Sequence, residues 1–199
     1  MIRCLITDGS YASDPQVWLD RAKYWINEGV ELLQIRERDL PVRDLAKLTR
    51  RVLGFPNPHN TKILVNDRAD IAIACGAHGV HLRDNSPSPA LFARTRLHSE
   101  PRLLPSGPPF IVTIACHKIP ATTEELKLLE GADFVLLAPI FKPLSKSDQR
   151  PALGTAAIEN FVRRCPTPVL ALGGITPDNA SACIKAGAAG IAGIKYFER

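Results

Sequence analysis

The sequence predicts a closed (β/α)8, or TIM, barrel in the α/β class, and three observations carry that prediction. Short apolar or β-branched runs alternate with amphipathic stretches, the alternation counts eight βα-type units, and the runs are apolar at nearly every position. Strands buried on both faces and separated by helices form a parallel sheet, whose right-handed crossovers leave an open doubly wound sheet or a closed barrel. Eight units favour the barrel. The whole chain, 1–199, is read as a single domain of this type.

In chain order the strand runs are "IRCLITD", "ELLQIRE", "KILVND", "GVHL", "FIVTIAC", "DFVLLAPI", "PVLALGG" and "GIAGIK". The helical stretches between them include "PQVWLDRAKYWINEG", "VRDLAKLTRRVLG", "ATTEELKLLEGA" and "TPDNASACIKAGAAG". Several have Ser, Thr or Asp near the start and Gly at the end, the residues that satisfy the orphan backbone groups of helix termini. Residues 97–110, "LHSEPRLLPSGPPF", are rich in Pro and Gly and read as an enlarged connection before the fifth strand. The sequence stops at Arg199, directly after the eighth strand, so the eighth helix is expected to be missing. That predicts a bare apolar strip between the first and seventh helices, covered by a homodimer partner or by further chain.

With 45% hydrophobic and 23% charged residues the chain has the make-up of an ordinary globular protein, which excludes disordered and fibrous classes. "MIRCLITDGS" lacks the apolar stretch of a secretion signal, and no run approaches the roughly 18 apolar residues of a membrane helix. A cytoplasmic protein without a membrane partner is expected. The five cysteines, Cys4, Cys75, Cys116, Cys165 and Cys183, are scattered, odd in number and free of a C-x-x-C pair. They are read as reduced thiols, mostly in the core, and not as disulfides or zinc ligands. A net charge of +5 comes from dispersed basic residues without a Lys/Arg run, which fits a small anionic ligand better than nucleic acid.

In a barrel the loops after the strands collect on one face and build the active site, so polar residues at strand ends are the candidates. In "LLQIRER" the period of two puts Gln34, Arg36 and Arg38 on one face and Leu33, Ile35 and Glu37 on the other. Two guanidiniums and an amide then converge where an anion can sit; the alternative is an ion-paired strand end. The same rule applied to "VTIACH" groups Thr113, Ala115 and His117, making His117 a candidate acid/base and Cys116 a core thiol. "ILVNDRAD" changes from strand to turn residues at Asn66 and Asp67, either a plain strand end or two groups presented to a ligand. "LALGGIT" ends a strand in Gly173 and Gly174 and opens a helix at Thr176, freeing backbone N–H groups for a phosphate; Gly193 lies in a second such strand end. The loop "PIFKPLSKSDQRPALG", with Lys142, Ser145, Lys146 and Arg150, is either solvated or a lid over an anionic substrate.

Taken in order, "LLQIRER", "LVNDRADIAIACGAHGVHL", "ACH", "GADFVLLAPIF", "SK", "LG" and "PVLALGGITPDNASACIKAGAAGIA" resemble the thiamine-phosphate synthase/TenI family of phosphate-binding barrels over nearly the whole chain. For a synthase the resemblance implies that residues 34–38, Asn66 and Lys146 hold a pyrimidine diphosphate. It makes Asp67 a magnesium ligand, and gives residues 143–145 (Ser145 among them) and Gly174 contacts to the thiazole phosphate or diphosphate. His81, Gly173, Gly193 and Lys195 join this substrate-binding set, and Arg36, His117 and Lys146 are the catalytic candidates. The implied reaction joins a thiazole nitrogen to a pyrimidine methylene as diphosphate leaves, with Mg2+ and basic residues stabilising the departing charge.

Several positions depart from that pattern. The family's H-L-G-Q-x-D reads "HLRDNS", so the second metal-binding Asp falls on Ser86, with Asp84 two positions early. Its strand-five Ser is Ala115, its T-x-T-K is "PLSK", and its Ser after strand eight is Lys195. "RER" and the Ser/Pro-rich "RDNSPSP" are similar to the TenI branch, whose members aromatise a thiazole carboxylate phosphate by moving a proton, with the His matching His117 as acid/base and no metal. The expectation is a TenI-like tautomerase needing no cofactor. A Mg2+-dependent thiamine-phosphate synthase and a non-catalytic phosphate-binding barrel are the alternatives.

Overall fold

The computed structural model describes residues 1–92, 110–142 and 150–198. Eight parallel strands close into a barrel in which each pairs with its sequence neighbours and β8 returns to β1. They are β1 (Ile2–Ile6), β2 (Leu32–Ile35), β3 (Lys62–Asn66), β4 (Gly79–Leu82), β5 (Ile111–Cys116), β6 (Phe134–Leu137), β7 (Val169–Leu172) and β8 (Gly190–Gly193). The described helices are α1 (Pro15–Asn27), α2 (Val42–Leu53), α3 (Ala69–Cys75), α4 (Thr123–Lys127), α5 (Thr155–Arg164) and α6 (Pro177–Lys185). A helical turn at 90–92 follows β4. Most of the enlarged connection expected at 97–110 lies outside the described residues.

Alternation along the strands divides the core in two. Cys4, Ile6, Leu32, Leu64, Leu136, Leu170 and Ala192 fill the barrel, while the outward set, including Leu33, Ile63, Val80, Val112, Val135 and Ile191, packs under the helices with Trp18, Leu48 and Phe161. Cutting a fully buried aromatic such as Trp18 or Phe161 back to Ala costs about 3–5 kcal/mol. The interior is tight enough to require glycine: a Cβ on Gly79 would lie 2.1 Å from the Ile111 carbonyl oxygen. The cysteines are free thiols, as expected, and burial inside the barrel pushes the Cys4 thiol up to about 12.

Capping follows the sequence signals. The Asp14 carboxylate accepts from Val17 N at 3.1 Å, with Pro15 opening α1. Thr176 precedes Pro177 at the start of α6, and its backbone N–H donates to Asn179 Oδ1 at 2.8 Å. After β8 the described chain forms one 3-10 turn, Lys195–Phe197. Phe197 is fully buried, packs edge-on to Trp25 of α1 at 5.0 Å between ring centroids, and accepts from Trp25 Nε1 on its carbonyl at 3.0 Å. Part of the strip expected to be bare beside the first helix is thus filled by the chain itself. Among the described residues no helix is long and apolar enough to cross a membrane.

Candidate active site

A cavity of about 690 Å3 opens at the C-terminal ends of the strands. Its lining brings together Gln34, Arg36, Arg38, Asn66, His81, His117, Gly173, Gly174, Gly193 and Lys195 from six strand ends. Ser145 and Lys146 lie outside the described residues.

Below the mouth, a layer of polar side chains caps the barrel interior. Gln34 Nε2 donates to Asn66 Oδ1 at 3.0 Å, and His81 Nδ1 lies 2.8 Å from Thr113 Oγ1. Gln34 is buried, yet among the described residues its Oε1 has no hydrogen-bond partner. Burial pushes the His81 imidazole down to about 3, and the nearby cations Arg36, His117 and Arg38 add to the shift, so His81 is neutral at physiological pH and is no acid/base there.

Above this layer Arg36 is held from behind. Its backbone N–H donates to Thr7 Oγ1 at 2.8 Å, and that hydroxyl donates to Glu37 Oε1 at 2.7 Å. The buried Glu37 carboxylate also accepts from Trp18 Nε1 (2.8 Å), Gly9 N (3.2 Å) and Tyr11 N (3.0 Å). Alternation placed Glu37 on the helix side; its donors come from the β1–α1 connection and α1, which no local pattern links to it. Burial lowers the Arg36 pKa, and the adjacent Arg38 and Arg83 lower it further against the opposing pull of Glu37. Crowded like charges of this kind favour a bound anion.

His117 Nδ1 lies 3.0 Å from the Ala138 carbonyl oxygen. A carbonyl only accepts, so a hydrogen sits on Nδ1, and Nε2 faces Asp84 Oδ2 at 3.9 Å. Opposite, Gly173 and Gly174 have φ of +95° and +63°. A Cβ on Gly174 would stand 2.5 Å from the Lys142 carbonyl oxygen, so this turn needs glycine for close packing as well as for its backbone conformation. The Lys195 ammonium reaches Glu198 at 2.9 Å.

Asp67, the possible magnesium ligand, does not group with Ser86, where the family's second metal-binding Asp is replaced, or with the doubtful Asp84. Asp67 sits at φ +63° in a tight turn in which Arg68 N donates to Asn66 O at 2.8 Å, and its carboxylate is ion-paired with Arg83 Nη2. The Ser86 hydroxyl accepts from the backbone N–H of Arg83 at 3.0 Å, and Asp84 turns to His117. Among the described residues no three His, Cys, Asp or Glu side chains group as a metal site. Mg2+ requires several hard oxygens in strict geometry, and this donor set does not fit it. Arg83 was missed by the sequence reading; its only signal there was a basic residue directly after the strand-end "HL".

A model of the family described as thiamine monophosphate synthase matches residues 4–197. The thiamine-phosphate synthase of Chlorobium phaeovibrioides is 36% identical over 198 residues, 98% of this chain and 86% of that protein. That of Anaeromyxobacter dehalogenans is 39% identical over 171 residues, 85% of this chain and 70% of its own. In fold, the chain is similar to the solved thiamine phosphate pyrophosphorylase of Pyrococcus furiosus, with a TM-score of 0.74 at 23% identity, covering 98% of this chain and 85% of that one. Relatives with synthase names overturn the expected TenI-like tautomerase. In "RDNSPSP", one of the stretches that suggested it, Arg83 engages Asp67. Matched from its fourth residue to its third from last, the chain belongs to the thiamine monophosphate synthase family.

Proposed function

We propose that the protein joins an aminopyrimidine methyl diphosphate to a thiazole phosphate, forming thiamine phosphate and releasing diphosphate. The observation that carries the reading is the order along β2: a buried amide acceptor, Gln34 Oε1, without a partner among the described residues, lies two residues, about 7 Å of backbone, before Arg36, and both residues line the cavity. A buried acceptor without a partner is costly, and an aminopyrimidine N–H is the donor it lacks. Ile6, Ala115 and Leu172 supply apolar wall for the rings.

In the coupling, the thiazole nitrogen lone pair forms the bond to the pyrimidine methylene carbon while the carbon–oxygen bond to diphosphate breaks. The bonding pair leaves with the diphosphate, and negative charge grows on its oxygens. Arg36 and Arg38 line the cavity and offer positive charge where that charge develops, which lowers the barrier. The glycine turn at Gly173 and Gly174 gives the thiazole phosphate a mouth without side chains in its way. No proton is transferred in this step, so His117 orients substrate and serves as neither acid nor base.

Purified protein incubated with both substrates, with and without Mg2+, is expected to release thiamine phosphate and pyrophosphate. Arg36→Ala should lower kcat/KM by about 100-fold or more. His117→Ala should lower it by about tenfold or less, as an orienting group does. Absence of product under both conditions overturns the proposal.

A further inference from the structure

The residues at the β3 and β4 ends disagree with a magnesium site, and the disagreement has a positive content. We infer that Arg83 is a built-in cation: its guanidinium stands where a metal would bridge Asp67 to an anionic oxygen, and the protein binds a diphosphate group without a divalent ion.

Three observations support this. The Asp67 carboxylate is already engaged by Arg83 Nη2. Arg83 lines both the main cavity and the smaller cleft of about 110 Å3 that holds Asp67, so its side chain lies between the carboxylate and the substrate space. Arg36 is close enough for Arg83 to depress its pKa, which puts the guanidiniums of Arg36, Arg38 and Arg83 around one volume.

The chemistry is sufficient for the task. A guanidinium carries five N–H donors in a planar fork, so the contact with Asp67 leaves donors for a bidentate hold on phosphate oxygens. Asp67 then acts as a positioning residue: it aims the guanidinium and keeps its long side chain from swinging to solvent. The tight turn at Asp67, closed by its own N–H to the His81 carbonyl at 2.7 Å, sets the direction of that carboxylate.

The inference rests on the reading of the cavity as a diphosphate site, and the experiment separates the two. Inorganic pyrophosphate is titrated calorimetrically into the whole protein in EDTA and again in Mg2+, for wild type, Arg83→Gln and Asp67→Asn. A half-exposed arginine and an isosteric change at a left-handed position that Asn tolerates well are both compatible with folding, which thermal melts of each variant verify.

Wild type is expected to bind pyrophosphate in EDTA, with Arg83→Gln weakening it about tenfold or more. Asp67→Asn should leave the affinity equal or tighter, because the amide oxygen still accepts from the guanidinium and aims it while a negative charge is removed. Binding that needs Mg2+ and is abolished by Asp67→Asn is the signature of a metal site and overturns the inference, as does an unchanged affinity in Arg83→Gln. Coupling is followed in the same samples. Metal-free, Arg83-dependent pyrophosphate binding without product sinks the synthase reading and leaves this inference standing; coupling that occurs only with Mg2+ and requires Asp67 does the reverse.

Discussion

From β2 to β4 the cavity mouth is made of long side chains, Arg36, Arg38 and Arg83, each with many rotamers to lose. From β6 to β8, Gly173, Gly174 and Gly193 expose backbone to the mouth, beside side chains such as Lys195 and Tyr196. The first side keeps its shape through polar bonds: Glu37 gathers four donors and passes its hold to Arg36 through Thr7, and Asp67 restrains Arg83. The second keeps its shape by contact, with the Gly174 turn laid against the Lys142 carbonyl. Charge therefore has to be anchored at a distance, whereas a backbone surface needs only close packing, and the two sides should fail in different ways.

The largest expected effect is on the polar side. Glu37→Ala strands the Trp18 indole N–H and two backbone N–H groups in a buried space, at a cost of about 3–4 kcal/mol measured by urea unfolding. Glu37→Gln keeps one acceptor and should cost about half as much. If both variants unfold like wild type, the anchoring described for Arg36 is wrong.

On the contact side, Gly174→Ala combines a left-handed φ with a Cβ 2.5 Å from a carbonyl oxygen, and is expected to cost about 2–3 kcal/mol. Its effect should be independent of pH and salt. A salt-dependent loss would mean that this side, too, is held by charge.

Period-two alternation made the inward set legible in the sequence: Gln34, Arg36, Arg38 and His117 reach the cavity because a strand's pleat permits little else. The glycine turns were legible because Gly-Gly between a strand and a helix has few uses. What stayed hidden were contacts between separate loops. Glu37 meets Thr7 and Trp18 only after β1 and β2 pair, and Arg83 meets Asp67 only after β3 and β4 pair, so no spacing along the chain encodes either. Asp67 read alone looks like a free ligand; Arg83 beside it changes that.

The smallest expected effect lies in the polar layer beneath both sides. His81 is buried and its imidazole is pushed down to about 3, whereas an unfolded chain protonates it near the ordinary histidine value of 6.5. Between those values the unfolded state binds the proton that the folded state refuses, so stability falls as pH drops below 6.5 and is unaffected above it. At pH 5 the loss relative to pH 8 amounts to about 2 kcal/mol from this group alone. His81→Asn cannot titrate and retains a polar group beside Thr113 Oγ1, so the difference between its stability and that of wild type should narrow or invert as pH falls from 7 to 5. Parallel pH profiles would mean that His81 takes up its proton in the folded barrel. The layer under the guanidiniums would then carry one more positive charge, and the cavity would attract anions more strongly in acid for a reason unrelated to either side of its mouth.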